Sequence, residues 1–564
     1  MAQQKINPIP VATKGLYTSN VSDTLPPEYS PWCQNIRFRF GQIVRAPGRS
    51  IVLDTQAQTI LDYFIFVNAT GTVAFGALEA QPGTVNSWVA GYDGPTKILG
   101  PEVAITPAHS SIPNGRFSWA GGEDRVFVVR NSKVTALNVS MSGTTSSYTP
   151  TTLGSPDGCR FVEYFANRVF TMNQLGGMMR VQWSARANYS DWAVAAGRGG
   201  WIDLYDGNTE PLTGGKVLND RIVIYRNSSI TDLVQTGDDT SPFLPQGRVY
   251  GIGLMAPFSL ASAGQFHIFL ANDYNVYVWD GIKLNPIGSS VHNYIRQALN
   301  MQFLDYNHLS VFASMFFGYK EYWLVIPQLD NNHVVLIYDY QRDTWTRDVI
   351  TNVTALFGTK MKGAYNTAGW DPTAPNEIGP CVMGGRNADF FLLDERIDGD
   401  RLNRPADGGM DMWVDTPDMY FDPTHMQNAT IERVAVTQDW PVAASDPRYH
   451  LQISLDRART FYDFPIDPKQ LKWGFEKGDV NLTGNVRRYR LRTNASDAAA
   501  VKPTWRVLSE IYVPSGEFFP EDRPIGPAPL ADIREPRAEF PTSSVDEAEA
   551  GAPVGPDEPV SPGV

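Results

Sequence analysis

The sequence predicts an all-β protein: a β-propeller with an N-terminal arm and a C-terminal β-sandwich-like domain. Three observations carry this. In the stretch 264–288, GQFHIFLANDYNVYVWDGIKLNPIG, Phe266, Ile268 and Leu270 alternate with His267 and Phe269. A polar turn follows at 272–275, and Val276 and Val278 then alternate with Tyr277 and Trp279 before Asp280-Gly281 turns the chain again. A lone hairpin is marginally stable in water, so this one belongs to a stack of similar sheets. Second, a polar turn, an arginine and an apolar β-rich run recur at Arg125, Arg168 and Arg221, with Gln265 in the equivalent place. The steps are 43, 53 and 44 residues, the period of a propeller blade. A run of unrelated hairpins in a large β-sandwich is the alternative. Third, 12% aromatic residues with 48 Gly and 41 Pro suit a chain of many turns and short strands.

Composition narrows the function classes. The formal net charge is −13. Ten acidic residues against Arg523, Arg534 and Arg537 give the segment 521–564 a net of −7, leaving −6 for the rest. A mildly acidic body lacks the basic footprint of a protein that grips nucleic acid. Cys33, Cys159 and Cys381 are odd in number, far apart and without a CxxC pair, which suggests buried thiols in a reducing cytoplasm. No apolar run approaches the length of a membrane span and MAQQKINPIP lacks a signal-peptide core, so no membrane anchor is expected.

Residues 1–50 read as an arm. Pro26, Pro27 and Pro31 punctuate it, and it ends in QNIRFRFGQIVRAPGR, where Phe38 and Phe40 alternate with Arg37 and Arg39. Gly41 would turn a hairpin and Pro47 end a strand. The order Gly15, Pro26, Pro27, Gln34, Asn35, Gly41, Arg45, Pro47 resembles the opening of the tail nozzle proteins of short-tailed bacteriophages, the tail tubular protein B family. A strand ending in Trp-Ser before a loop and another Trp, in VQWSARANYSDW at 181–192, resembles a feature of phage tail propellers.

The propeller is expected over 51–400, with six or so blades. Tyr338-Asp339 and Thr344-Trp345 look like a kelch-type blade end, and 381–394 like a further hairpin. Between blades, 289–306 reads as a helical insertion: Ser290 can cap it, and Val291, Ile295 and Leu299 share a face. A polar, Gly-rich stretch at 398–409 marks a boundary, and 410–515 alternates like a sandwich. Nine prolines and net negative charge predict a disordered tail over 521–564.

No catalytic or metal constellation appears. The seven histidines show no HxH or HExxH spacing. Gly251 and Gly253 lack the rest of a phosphate loop, and no Ser or Cys sits in a nucleophile elbow. SLDRARTF at 454–461 departs from the Asp-box pattern S-x-D-x-G-x-T-W at Ala458 and Phe461. Arg488, Arg490 and Arg492 share one strand face, with Tyr489 and Leu491 on the other. That row is either a solvated outer face paired with acids or a phosphate-facing or subunit-contacting row.

The resemblance implies a structural, non-enzymatic virion protein without cofactors: a hexameric tail nozzle, made in the host cytoplasm, that docks on a portal-side adaptor ring, retains and ejects the genome, and touches DNA in transit. The arm residues Gln34, Asn35, Arg37, Phe38, Arg39, Phe40, Gly41, Arg45 and Pro47 are the candidate assembly surface, because an unpaired strand edge bearing Phe38 and Phe40 invites another chain. The alternative is a propeller glycan-binding protein or glycosidase acting on host polysaccharide, for which the sequence fixes no carboxylate separation.

Overall fold

A computed structural model describes residues between 5 and 517 except for internal stretches, the longest of which are 52–58, 106–114, 301–309, 372–380, 395–411, 440–448, 467–474 and 494–503. The expected boundary at 398–409 and tail at 521–564, with Phe40 and Gly41, lie outside the described residues. Contacts divide the chain into Met1–Pro529 and Leu530–Val564, and every element below belongs to the first unit.

Short alternating strands joined by tight turns pair only with their sequence neighbours, and this produces four-stranded antiparallel meanders. Six of them span 59–104, 118–152, 161–203, 212–250, 261–286 and 312–351. A seventh joins Val353–Phe357, Cys381–Gly385 and Phe390–Asp394 to Gly48–Ile51 from the N-terminal segment. The first strands touch in cyclic order, from Thr59–Val67 through Ser118–Gly121, Phe161–Phe165, Leu212–Leu218, Ala261–Ser262, Phe312–Phe316 and Val353–Phe357 back to Thr59–Val67. A closed ring of four-stranded sheets is consistent with a β-propeller, here of seven blades among the described residues.

The repeat signal was sound, because Arg125, Arg168 and Arg221 each open the second strand of a blade. The expectation of six or so blades becomes seven among the described residues. Steps of 43, 53 and 44 residues already fit seven repeats into the 350 residues from 51 to 400, so the spacing itself is compatible with the observed number.

The arm is also corrected, since its strands are paired inside the chain. Lys5–Pro10 and Gln42–Arg45 lie one after the other along Thr504–Glu517, and Ile36–Arg39 pairs with Gln42–Arg45. Cys33–Gln34 pairs with Met412–Asp415. These strands complete the two sheets of the C-terminal sandwich. One holds Gln427–Asp439, Thr504–Glu517, Phe475–Lys477 and Leu482–Gly484; the other holds Val486–Thr493, Tyr449–Ser454, Tyr462–Ile466 and Met419–Tyr420. The 410–515 domain is therefore built from both ends of the chain.

The apolar sides of these strands meet in one buried cluster. Ile36, Phe38 and Ile43 pack with Leu451, Ile453 and Leu491, and the cluster continues into Ile268 and Leu270 of the fifth blade and Tyr322 and Leu324 of the sixth. The inserted helix, described over His292–Asn300, enters the same cluster through Val291, Ile295 and Ala298 rather than lying on a free rim. Trp345 is buried between blades, donating its Nε1–H to the Ile287 carbonyl at 2.7 Å, as the blade-end reading of Thr344-Trp345 expected.

Candidate functional site

The arm residues singled out in the sequence converge on the junction between the sandwich and the sixth blade. A strand caught between two layers must bury both faces. Ile36 and Phe38 turn into the apolar cluster, while Arg37, only 2% exposed, turns toward the blade. Its guanidinium bonds Asp348 through Nη1 and Nη2 at 3.0 and 2.9 Å, and Glu321 through Nε at 3.1 Å. Glu321 takes a second bond from Trp323 Nε1 at 2.7 Å and a third from Arg39 at 3.3 Å. Burial alone would lower the Arg37 pKa, but Asp348 and Glu321 more than offset it and hold it above the ordinary arginine range.

The backbone is fitted as closely as the charges. Gly15 has φ +93°, and a Cβ there would stand 2.9 Å from the Trp345 carbonyl oxygen, so a side chain would meet both strain and backbone. Leu16 N–H donates to that same carbonyl at 2.8 Å. Asn35, at φ +54°, donates its N–H to the Arg347 carbonyl and accepts one from Ala46, both at 3.0 Å. Gln34 Oε1 accepts from Arg347 Nη1 at 2.9 Å, and the Arg347 guanidinium lies 4.3 Å from the Trp32 ring centroid. Arg45 and Pro47 are buried. Burial pushes the Cys33 thiol, in the same junction, up to about 12, which makes it unreactive.

Such a site holds segments together. The N-terminal segment is therefore not an open edge awaiting another subunit, as its Phe/Arg alternation suggested. The expectation failed because its partners lie about 280 to 470 residues away in sequence and leave no local sign. Sequence reasoning missed Glu321 and Asp348; a lone acid opening the apolar strand EYWLVI was the available signal.

The arginine row is likewise engaged inside the chain. Arg490 pairs with both oxygens of Asp415 at 2.7 and 2.8 Å, and Arg488 with both oxygens of Asp418 at 2.8 and 2.9 Å. Arg488 also reaches Ser22, and Arg492 lies half-buried 5.8 Å from the Trp413 ring. The row is paired with acids as the first reading expected, but Arg488 and Arg490 are buried, so it is neither a solvated face nor phosphate-facing at those two positions. On the opposite face Arg487 and Tyr489 hold the fully buried Glu510, which also accepts from Asn7 at 2.9 Å.

The Asp-box-like stretch folds as a box despite its two departures. Ser454 Oγ accepts from Ala458 N–H at 2.8 Å, and Asp456 accepts from Thr460 N–H at 2.8 Å. Ala458, standing where the pattern has Gly, has φ +64°. Phe461, standing where it has Trp, lies under Arg490 at 4.2 Å. Among the described residues no group of His, Cys, Asp and Glu could hold a metal ion, and no helix is long and apolar enough to cross a membrane.

No protein-family model matches the chain, and no curated protein matches it. Among solved structures, the Pan2 WD40 domain of Neurospora crassa is 8% identical over 62% of this chain and 96% of that one, with a TM-score of 0.36. Sqt1 of Chaetomium thermophilum, bound to the N-terminus of ribosomal protein L10, is 11% identical over 61% and 98%, with a TM-score of 0.34. Hsv2 of Kluyveromyces lactis is 10% identical over 52% and 98%, with a TM-score of 0.26. The similarity is to WD40 and β-propeller domains and concerns fold alone.

Proposed function

We propose that the chain is a structural subunit of a short-tailed phage virion, one of six in a tail nozzle that sits on the portal-side adaptor ring and passes the genome. The observation that supports this most is where the motif residues fall. Gly15, Gln34, Asn35, Arg45 and Pro47, which carried the resemblance, all lie in the segment that ties propeller to sandwich. A conduit wall needs a subunit that does not flex between its parts, and buried cross-links between distant segments favour that.

Two features refine the reading. The space enclosed by the first strands of the blades is a cavity of about 370 Å³. A cavity of that volume is roughly 7 Å across, too narrow for a duplex whose major groove alone is about 12 Å wide. The DNA channel of a nozzle must then run between subunits. With the arm engaged within its own chain, subunit contacts fall to other surfaces. The third to fifth blades expose Leu175, Met178, Tyr205, Tyr250 and Ile282, of which Leu175, Met178 and Tyr205 line one groove, and a contiguous exposed apolar patch of that kind suits an interaction surface. A head-to-tail contact there closes into a ring.

The test is the mass of the purified chain in solution, with particle images in the presence of the adaptor. A six-fold ring with a pore wide enough for duplex DNA is expected, and Tyr205→Asp combined with Tyr250→Asp should keep the chain monomeric. A chain that remains monomeric with the adaptor present removes the nozzle reading.

A further inference from the structure

The axial cavity has chemistry that a passive structural subunit does not require. Its apolar wall includes Trp119, Phe161, Phe258, Phe312 and Phe317, and Phe317 is 39% exposed. At one end Asp62, Arg116 and Lys216, from different blades and the segment leading into one of them, also line it. Lys216 Nζ bonds Glu163 at 2.7 Å, and Arg116 donates to the carbonyls of Leu61 at 3.2 Å and Thr354 at 2.7 Å while stacking 3.7 Å from the Phe312 centroid. Asp62 Oδ1 accepts from Tyr63 N–H at 2.8 Å. Burial pushes the Asp62 carboxyl up to about 6 against the opposing pull of Arg116, the Tyr63 N–H and Lys216.

These charges select a ligand class. Two carboxylates, Asp62 and Glu163, stand against two cations, Arg116 and Lys216. The four charges sum to zero, so an anionic or cationic ligand would bring an uncompensated charge into the cavity. A neutral ligand would not. An acceptor and a donor side by side at one end suit hydroxyl groups, each of which both donates and accepts. The aromatic wall offers no parallel slot for a planar base: Phe161 and Phe258 are tilted by 52° with centroids 6.2 Å apart. A saturated ring with apolar C–H faces suits tilted rings, and the volume falls within the range of small-molecule sites.

We infer that the axial cavity binds a neutral sugar of pyranose size, with its hydroxyls on Asp62 and Lys216 and a C–H face against Phe317 and Trp119. The site lies within one subunit, so it is independent of whether subunits form a ring.

Saturation-transfer NMR on the full chain tests this, using glucose, galactose and mannose as probes, with glucuronate and adenosine as the anionic and planar alternatives. At least one neutral sugar should receive saturation, and Asp62→Asn, which keeps an acceptor for Tyr63 N–H, should weaken it about tenfold. Phe317→Ala, at a partly exposed position that tolerates truncation, should weaken it similarly and serves if the Asp62 variant does not fold. The inference is overturned if no neutral sugar binds, if binding survives Phe317→Ala and Asp62→Asn unchanged, or if glucuronate or adenosine binds in preference.

Discussion

The junction and the rim of the third blade use the same charged residues in opposite ways. At the junction Arg37 meets Glu321 and Asp348 across 284 and 311 residues, with every partner buried. On the rim Arg198 meets Asp191 seven residues away in the open, and elsewhere Arg125 and Arg221 each meet the acid just before them. Local exposed pairs form wherever a turn brings neighbours together, and solvent screens them. Long-range buried pairs form in one docking of the chain and penalise every other, because a misplaced partner leaves an unpaired charge in the interior. The difference teaches that this chain spends its costly charges on registering distant segments.

The strongest way to break the comparison is to remove one side of the junction. Deleting residues 1–51 takes strands from both sandwich sheets and the fourth strand from the seventh blade. It should yield no soluble, cooperatively folding chain, as circular dichroism melting would show. A truncated chain with a sharp melt would refute the closure described above.

Next in size, Arg37→Met should cost about 3–5 kcal/mol in urea unfolding, because Glu321 and Asp348 remain buried without their cation. Adding Glu321→Gln and Asp348→Asn should recover part of that loss. If the triple variant is no better than the single, the cost lies in packing rather than in the stranded charges. On the rim, Arg198→Ala should leave the urea midpoint unchanged.

A buried proton acceptor in the propeller sharpens the contrast between interior and surface. His267 Nε2 faces the Val217 carbonyl at 3.1 Å and must donate to it, so Nδ1 accepts from Tyr225 OH at 2.8 Å. Burial lowers its pKa to about 4. A depressed histidine contributes stability that is present above its unfolded value of about 6.5 and lost as pH falls toward about 4. Comparing wild type with His267→Phe over that window should show the wild type losing more stability on acidification. Parallel pH curves for the two proteins would refute this.

The smallest expected effect is a gain. Ala458→Gly should stabilise the sandwich by about 0.5–1 kcal/mol, because φ +64° is natural to glycine and strained for alanine. A lower urea midpoint in that variant would mean the box is held by something other than its turn.

What the sequence disclosed and what it hid divide along the same line as the two kinds of ion pair. The hairpin at 264–288, the arginines that open second strands, the helix face of Val291 and Ile295 and the Asp-box turn all rest on neighbours, and all could be read. The pairing of Lys5–Pro10 with Thr504–Glu517, the partners of Arg37 and the acids beneath Arg488 and Arg490 rest on residues far along the chain. Alternation showed that Arg37 and Phe38 face opposite ways. It could not show that both ways lead inward, which needs a second layer that no local pattern records. The polar end of the axial cavity was hidden for the same reason: Asp62, Arg116 and Lys216 meet only once the blades close.

The strand Gly48–Ile51, which completes the seventh blade against Phe390–Asp394, also sets a timetable. A ribosome adding about 5–20 residues per second makes this strand roughly 20–70 seconds before its partner. During that interval the emerging chain carries open strand edges, the state most exposed to aggregation and to capture by chaperones. The chain cannot finish its propeller before residue 394 has left the exit tunnel, nor its sandwich before residue 517. A message cut short therefore gives a chain that cannot close, and synthesis itself becomes the checkpoint that separates complete chains from incomplete ones.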